Sequence, residues 1–493
     1  MIRQKERKRK MNNNVTLNVT LNAEQNHALN EMLSGKNCFL TGEAGTGKST
    51  VVREFLKLTD KNAVVVAPTG VAAINVNGVT IHSFFQFPCT ILKAGELEGI
   101  RSPKRKELIR NTDVVIIDEI SMVRSDLFSA IDTRLRYLGD SSKPFGGKQI
   151  IATGDFFQLP PFAVTEPENT YLKMIYGGMF AFQTHAWASA DFQNLFLTTV
   201  HRQSTDPTFA KMLANIRKND MTANINLPNC DEGMSALEAL NTAAARQTAH
   251  DTLAICTTKN DAYNINISRA AEIDTTTHRF AAKVSGDFKH ALYPTTELLE
   301  LKVGERVMTL ANKYDGEQLV YCNGDMGTIV EIADESVTVQ FDKGISAEIK
   351  PFVWSNFEYE LVKENGKTRI TQKEIGRFSQ IPLRLAYATT IHKSQGLSLD
   401  TALIVLGNGC FAPGQLYTAL SRVRTFEGLT LDREIKENDL FFAPEVVDFY
   451  KGIVPVAGAS EDQGSVMLEV PAEYAEKIKL MLAELLADEK YSA

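Results

Sequence analysis

An apolar run, NCFLTG at 37–42, feeds straight into Gly-Glu-Ala-Gly-Thr-Gly-Lys-Ser at 42–49, and no other junction constrains the fold of this 493-residue chain so tightly. Glycines at 42, 45 and 47 let backbone N–H groups turn inward around phosphates, and the helix expected to start at Lys48 adds favourable partial charge. Such a loop needs a buried strand before it and a helix after it. Three more apolar runs follow at helical spacing: NAVVVAP (62–68), DVVIIDE (113–119) and KQIIATGD (148–155). Continuous apolar runs separated by helices predict a parallel sheet covered on both faces, an α/β fold.

The strand–helix pattern occupies residues 21–200, interrupted at 84–111 by a Pro- and Gly-bearing excursion with the basic cluster Lys104-Arg105-Lys106. A second α/β lobe is expected at 201–309 and 384–440, with LAICTTK (253–259) and TALIVLG (401–407) as strands. Between them, 310–383 alternates polar and apolar residues between Gly and Asp turns, the pattern of a small antiparallel β-barrel. Residues 1–20, basic and then Asn-rich, are expected to form a disordered arm. The tail 441–493 ends in an amphipathic helix, with Tyr474, Ile478, Met481, Leu482, Leu485 and Leu486 on one face.

Composition sets bounds. A length of 493 residues suits roughly two to four domains. No apolar run approaches the ~18 residues of a membrane-spanning helix, and MIRQKERKRK has no apolar stretch behind it to act as a secretory signal. Six scattered cysteines suggest neither disulfides nor a zinc site and fit a reducing cytoplasm. The net charge of −7 would disfavour a nucleic-acid partner if evenly spread. From Glu434 onward, however, thirteen acidic residues face five basic ones, so the tail holds the acidity and the body leaves room for a basic groove.

Within the loop, Lys48 is placed to reach the β- and γ-phosphates, and the Ser49 hydroxyl to ligate Mg²⁺. Asp118 ends an apolar strand where a metal-holding acid belongs, and Glu119 is the candidate base for the attacking water. Gln158, just past the fourth run, can bond both γ-phosphate and water. Arg202 and Arg422, assigned to the second lobe, are candidate guanidinium groups for the charge that spreads over the γ-phosphate.

The ordered set resembles a superfamily-one helicase of the 5′→3′ class, and more closely the petite-integration-frequency (Pif) family. The likeness rests on GEAGTGKST, VVAPTGVAAINVNGVTIHSF, VVIIDEISMV, PFGGKQIIATGDFFQLPP, TTVHRQ, GERVMTLAN, NGDMGTIVEI, IPLRLAYATTIHKSQGLSL and YTALSRVRT, and spans residues 21–430. The segment 126–147 stands where that family has its own signature. RecD-type helicases share fewer of these strings. The resemblance implies two RecA-like lobes, a strand-separating wedge at 84–111 with no assigned tip residue, and a barrel in the second lobe. It implies that Gln25 reads the adenine edge and that Gly42, Gly45, Thr46, Gly47, Lys48, Ser49 and Thr50 cradle the nucleotide, with ATP and Mg²⁺ as cofactors. Thr69, Gly70, Thr80 and His82 would line the single strand in the first lobe, and Thr390, His392, Lys393 and Ser394 in the second. Gln395 and Gly396 would couple DNA to nucleotide.

The expectation is therefore an ATP-dependent helicase moving 5′→3′ on single-stranded DNA and unwinding forked or structured DNA in repair, recombination or telomere maintenance. It would act as a monomer in the cytoplasm, or with the nucleoid in a bacterium. An RNA-directed helicase and a P-loop switch without unwinding are the alternatives. Single-strand binding also uses aromatic stacking platforms; Phe84, Phe85, Phe156 and Phe157 are available for this, though some of them must be core.

Overall fold

A computed structural model describes residues 21–453, apart from 94–96, 98, 101, 163–164, 218–233, 250, 316–317 and 365–366. The expected N-terminal arm and the amphipathic tail helix lie outside the described residues.

Six parallel strands form the first sheet: β1 (Cys38–Gly42), β2 (Ala63–Ala67), β3 (Val79–Thr80), β4 (Val114–Ile117), β5 (Gln149–Thr153) and β6 (Gln193–Leu197), in the order β3-β2-β4-β5-β1-β6. Every residue of β1, β4 and β5 is buried. That two-sided burial is why their sequences read as unbroken apolar runs and not as alternations. Separate apolar clusters cover the two faces. One includes Leu29, Val51, Phe55 and Ile116; the other includes Phe39, Val115, Phe128 and Ile150.

A second, four-stranded sheet runs Ala388–Thr390, Ala254–Cys256, Ala402–Val405 and Leu429–Leu431, again parallel throughout. Between its strands lies the antiparallel region. Five strands from Arg306–Thr309 to Leu383–Leu385 form one sheet around Val307, Ile329, Val339 and Leu383. The region is wider than the 310–383 expected from sequence. It begins with Thr277–Ala281, which pairs with Leu298–Lys302, and with Lys283–Gly286. Thr277–Ala281 buries only Phe280, and Lys283–Gly286 is exposed along its whole length. Hydrophobic pattern therefore could not reveal them.

The longest pairing is the hairpin Phe352–Glu364 with Lys367–Gln380, which reaches back onto the first lobe. The Val65 N–H donates to Tyr359 Oη at 2.9 Å, and the Ile370 N–H to Asn62 Oδ1 at 3.0 Å. Arg105, on the helix Pro103–Arg110 of the expected wedge segment, pairs with Glu358. A last helix, Pro444–Gly452, also packs on the first lobe, through Phe449 and Tyr450. No helix among the described residues is long and apolar enough to cross a membrane.

Candidate nucleotide and nucleic-acid site

At the carboxyl ends of β1, β4 and β5, where ligands bind in open parallel sheets, a cavity of about 810 Å³ opens between the two sheets. Its first wall is the loop after β1. Gly45 (φ +85°) and Gly47 (φ +87°) hold conformations that side chains resist. Each also lets another residue approach closely. A Cβ on Gly45 would lie 2.4 Å from the Arg202 Cβ, and one on Gly47 would lie 2.4 Å from Gln25 Nε2. Lys48 opens the helix Lys48–Leu58 and folds its ammonium back onto the Gly42 and Glu43 carbonyls, both at 2.8 Å. Burial lowers its pKa, while Asp155 and Glu119 pull the other way. Ser49 and Thr50 line the same wall. Gly42 and Thr46 do not; Thr46 is buried, and its hydroxyl donates to the Glu43 carbonyl at 2.9 Å.

Gln25 stands at the edge of the loop. Its helix starts with a capping box from Asn22, and its Nε2 donates to the Thr46 carbonyl at 3.2 Å and lies 3.2 Å from His201 Nε2.

Asp118 and Glu119 follow β4 into the cavity. Glu119 sits at φ +51°, ψ +49°, a left-handed conformation costing about 1–2 kcal/mol. Backbone strain of this kind concentrates at functional sites, because the fold must hold it in place. Burial, then the neighbouring Glu119 charge, pushes the Asp118 pKa up to about 7. Burial also raises that of Glu119, against the pull of Lys48 and Arg422. Two adjacent buried carboxylates are costly unless cations answer them.

Gln158 lines the cavity in the turn after β5. That turn is fixed from below by Asp155, whose buried carboxylate meets Arg217 at 3.3 Å, the Phe157 N–H at 3.2 Å, and the hydroxyls of Tyr417 and Tyr450, each at 3.4 Å. From the second sheet's side, Gly414 presses on the same turn. A Cβ there would lie 2.2 Å from the Phe157 carbonyl oxygen and 2.7 Å from that of Gln158.

The two arginines reach the cavity by different routes. Arg422 follows the helix Gln415–Leu420, anchored by its Nε to the Thr418 carbonyl at 3.0 Å and by Nη2 to Ser421 Oγ at 2.8 Å. Arg202, expected from the second lobe, instead belongs to the connector just after β6. The His201 N–H bonds the Gly45 carbonyl at 3.0 Å, and this ties the connector to the phosphate loop. From this connector the Arg202 guanidinium crosses the seam to the Ser421 carbonyl at 3.0 Å, and the Gln203 amide to the Val423 carbonyl at 2.8 Å. Neither arginine has a carboxylate partner among the described residues. Burial lowers both pKa values, and the Arg422 charge lowers that of Arg202 further.

The residues expected along the strand divide sharply. Thr69, Thr80 and Thr390 are N-caps, accepting from the backbone N–H of Ala72, Ser83 and Lys393. A capping oxygen still carries its own O–H to donate. Gly70 and His82 are half-buried, and burial, then Arg124, lowers the His82 pKa. Lys393 is exposed and His392 half-exposed. Ser394 is not available: it is fully buried, with its hydroxyl donated to the Ile391 carbonyl at 2.8 Å, because the short helix Ile391–Ser394 turns that face into the core. Gly396 lines the cavity; Gln395 does not, and its buried Nε2 has no hydrogen-bond partner among the described residues. The four phenylalanines named as stacking platforms, Phe84, Phe85, Phe156 and Phe157, are all core residues.

The PIF1-like helicase family model matches residues 20–227. The ATP-dependent DNA helicase Pif1 of Bdellovibrio bacteriovorus is 33% identical over 439 residues, covering 87% of this chain and 91% of that protein. The chain belongs to the PIF1-like helicase family. It is an ATP-dependent DNA helicase, an ATP-hydrolysing enzyme, with two RecA-like lobes. Among solved structures, Bacteroides sp. Pif1 in complex with ADP-AlF4 superposes with a TM-score of 0.78 at 34% identity, covering 88% of this chain and 97% of that one. Bacteroides Pif1 bound to single-stranded DNA superposes with a TM-score of 0.61 at 34% identity and the same coverage.

Sequence reasoning about this PIF1-like helicase missed several residues at the site. His201 lines the cavity beside Gln25, and Arg424 lines it near Arg422. Arg217, Tyr417 and Tyr450 hold Asp155 from three separate elements. His201 and Arg424 flank motif arginines and Tyr417 opens the string YTALSRVRT, so these could have been noticed there; Arg217 and Tyr450 carry no local signal.

Proposed function

We propose that this helicase translocates 5′→3′ on single-stranded DNA, powered by ATP–Mg²⁺ closing the seam between its lobes. The observation that carries this reading is the pair of guanidinium groups lining the cavity, Arg202 half-buried and Arg422 buried, without carboxylate partners among the described residues and facing the phosphate loop. Buried charge without a counter-ion is unfavourable, and a triphosphate would supply the counter-ion. Lys48 would then leave its loop carbonyls for the β- and γ-phosphates. Glu119 would take the proton of the attacking water, with Gln158 orienting that water and Arg202 and Arg422 neutralising the transferring phosphoryl group. Hydrolysis removes the γ-phosphate and with it the charge drawing the lobes together.

Ser49 and Asp118 fit a magnesium ion. The described residues offer no cluster of three or more metal-binding side chains. Two protein ligands with water and phosphate oxygens completing the shell suit Mg²⁺, and its charge would offset the Asp118–Glu119 pair. Thr69, Gly70, Thr80 and His82 on one lobe, and Thr390, His392 and Lys393 on the other, would hold the strand alternately. Gln395 and Gly396 would link that grip to the nucleotide. The helix Pro103–Arg110 and its flanks would form the wedge. One chain supplies every wall of the cavity, so a monomer suffices, acting on single-stranded and forked DNA in the cytoplasm during repair, recombination or telomere maintenance.

An unwinding assay on 5′-tailed and 3′-tailed duplexes, with and without ATP, tests the polarity. Only the 5′-tailed duplex should open, and only with ATP. Preferential opening of the 3′-tailed duplex would overturn it.

A further inference from the structure

With Phe84, Phe85, Phe156 and Phe157 all in the core, the strand has lost every base-stacking surface that the sequence suggested. One aromatic near the Gln158 turn points outward. Phe162 is 55% exposed, and its ring lies nearly parallel to the His392 imidazole, at 12° with centroids 5.9 Å apart. Phe162 follows β5 of the first sheet; His392 follows Ala388–Thr390 of the second. The pair therefore faces itself across the seam that nucleotide binding is proposed to close.

The surroundings are cationic. Lys259 and Lys393 are exposed and Arg384 is half-buried, and none of the three has a carboxylate partner among the described residues. They lie close enough to act on one another: beyond burial, Arg384 and Lys259 both depress the Lys393 pKa. An exposed apolar ring alone means little. Parallel aromatic faces beside unpaired cations match the combination by which proteins hold single strands, with stacking for bases and positive charge for the backbone.

We infer that Phe162 and His392 form a nucleobase-stacking clip across the lobe seam, with Lys259, Arg384 and Lys393 seating the adjoining phosphates. The inference rests on the chain acting on single-stranded DNA. It assigns a contact to the bases themselves. Because every base presents a π-face, the clip tolerates sequence while still requiring a base.

The test compares binding to oligo-dT with binding to the same strand carrying abasic sites throughout, by fluorescence anisotropy. Phe162→Ala and Phe162→Leu should each weaken binding to oligo-dT by about tenfold, and Phe162→Tyr should retain it. On the abasic strand, wild type and all three variants should bind alike. Lys259→Ala should weaken binding to both strands equally and flatten the salt dependence. Unchanged oligo-dT binding by Phe162→Ala, or an equal loss on both strands, would overturn the clip while leaving the DNA reading standing. Wild-type protein that binds neither strand would overturn both.

Discussion

Lys48 and Arg422 show how a single residue can be assigned here. Lys48 spends its ammonium on two carbonyls of its own loop, Gly42 and Glu43, at 2.8 Å. Those contacts keep it at the mouth of the cavity, and they are weak substitutes for phosphate oxygens. Arg422 is fixed by the Thr418 carbonyl and the Ser421 hydroxyl, so its guanidinium enters the cavity pre-oriented. Lys48→Ala should therefore abolish ATP hydrolysis with an unchanged melting temperature. Arg422→Ala should still bind a fluorescent ATP analogue yet lose turnover by about three orders of magnitude. A steady-state ATPase assay beside a nucleotide titration separates the two. At this scale the sequence was legible for the loop and the acids, since each sits at a fixed offset from a strand end, whereas it assigned Arg202 to the wrong lobe. It misled for Ser394, and it could not say that all four phenylalanines, rather than some, are core. Whether a side chain on a short helix faces core or solvent depends on what packs over it, and no local pattern states that.

Among the elements, the helix Pro444–Gly452 changes what the tail must do. Phe449 stacks on Phe182 at 4.3 Å and lies edge-on to Phe156 and Trp187. Tyr450 stacks on Phe157 at 4.6 Å, and its hydroxyl touches Thr41 at 2.8 Å and Asp155 at 3.4 Å. The last described helix therefore braces the turn that presents Gln158. Truncation after residue 440 should leave an insoluble or inactive protein. Truncation after residue 453 should keep the ATPase, because it spares this helix. Phe449→Ala alone should cost about 2–3 kcal/mol, below a fully buried Phe→Ala change because the ring is only partly buried. Chemical denaturation of the three proteins checks the order. A nine-residue helix with apolar residues on one side reads equally well as a surface helix or a core strap, and only its contacts decide.

At the scale of the whole molecule, the seam between lobes is unusually tight where the chemistry is. Gly414 holds φ +69° with its Cα against the backbone of Phe157 and Gln158. Gly414→Ala would meet both a left-handed conformation and a backbone clash. Its cost should exceed the ~1–2 kcal/mol of the left-handed conformation alone. The clash would push the lobes apart, so ATP turnover should fall more than ATP binding does; a thermal melt paired with kcat and KM measurements reads both. The hairpin Phe352–Glu364/Lys367–Gln380 makes a second bridge, from the antiparallel insert to Val65 and Asn62 of the first lobe. The sequence showed the insert as alternation but not its reach. The two strands that begin it, Thr277–Ala281 and Lys283–Gly286, are too exposed to carry a pattern.

The sequence by itself determined the two parallel sheets, the phosphate loop and the strand-end acids, because buried strands and backbone cradles impose residue types over a few consecutive positions. Only the tertiary structure decided that Arg202 belongs to the phosphate-loop side of the cavity, that Asp155 is clasped from three elements, and that Phe162 meets His392. Those facts depend on which distant segments come within a few ångströms of each other, and side-chain packing across a seam leaves no periodic mark on either partner.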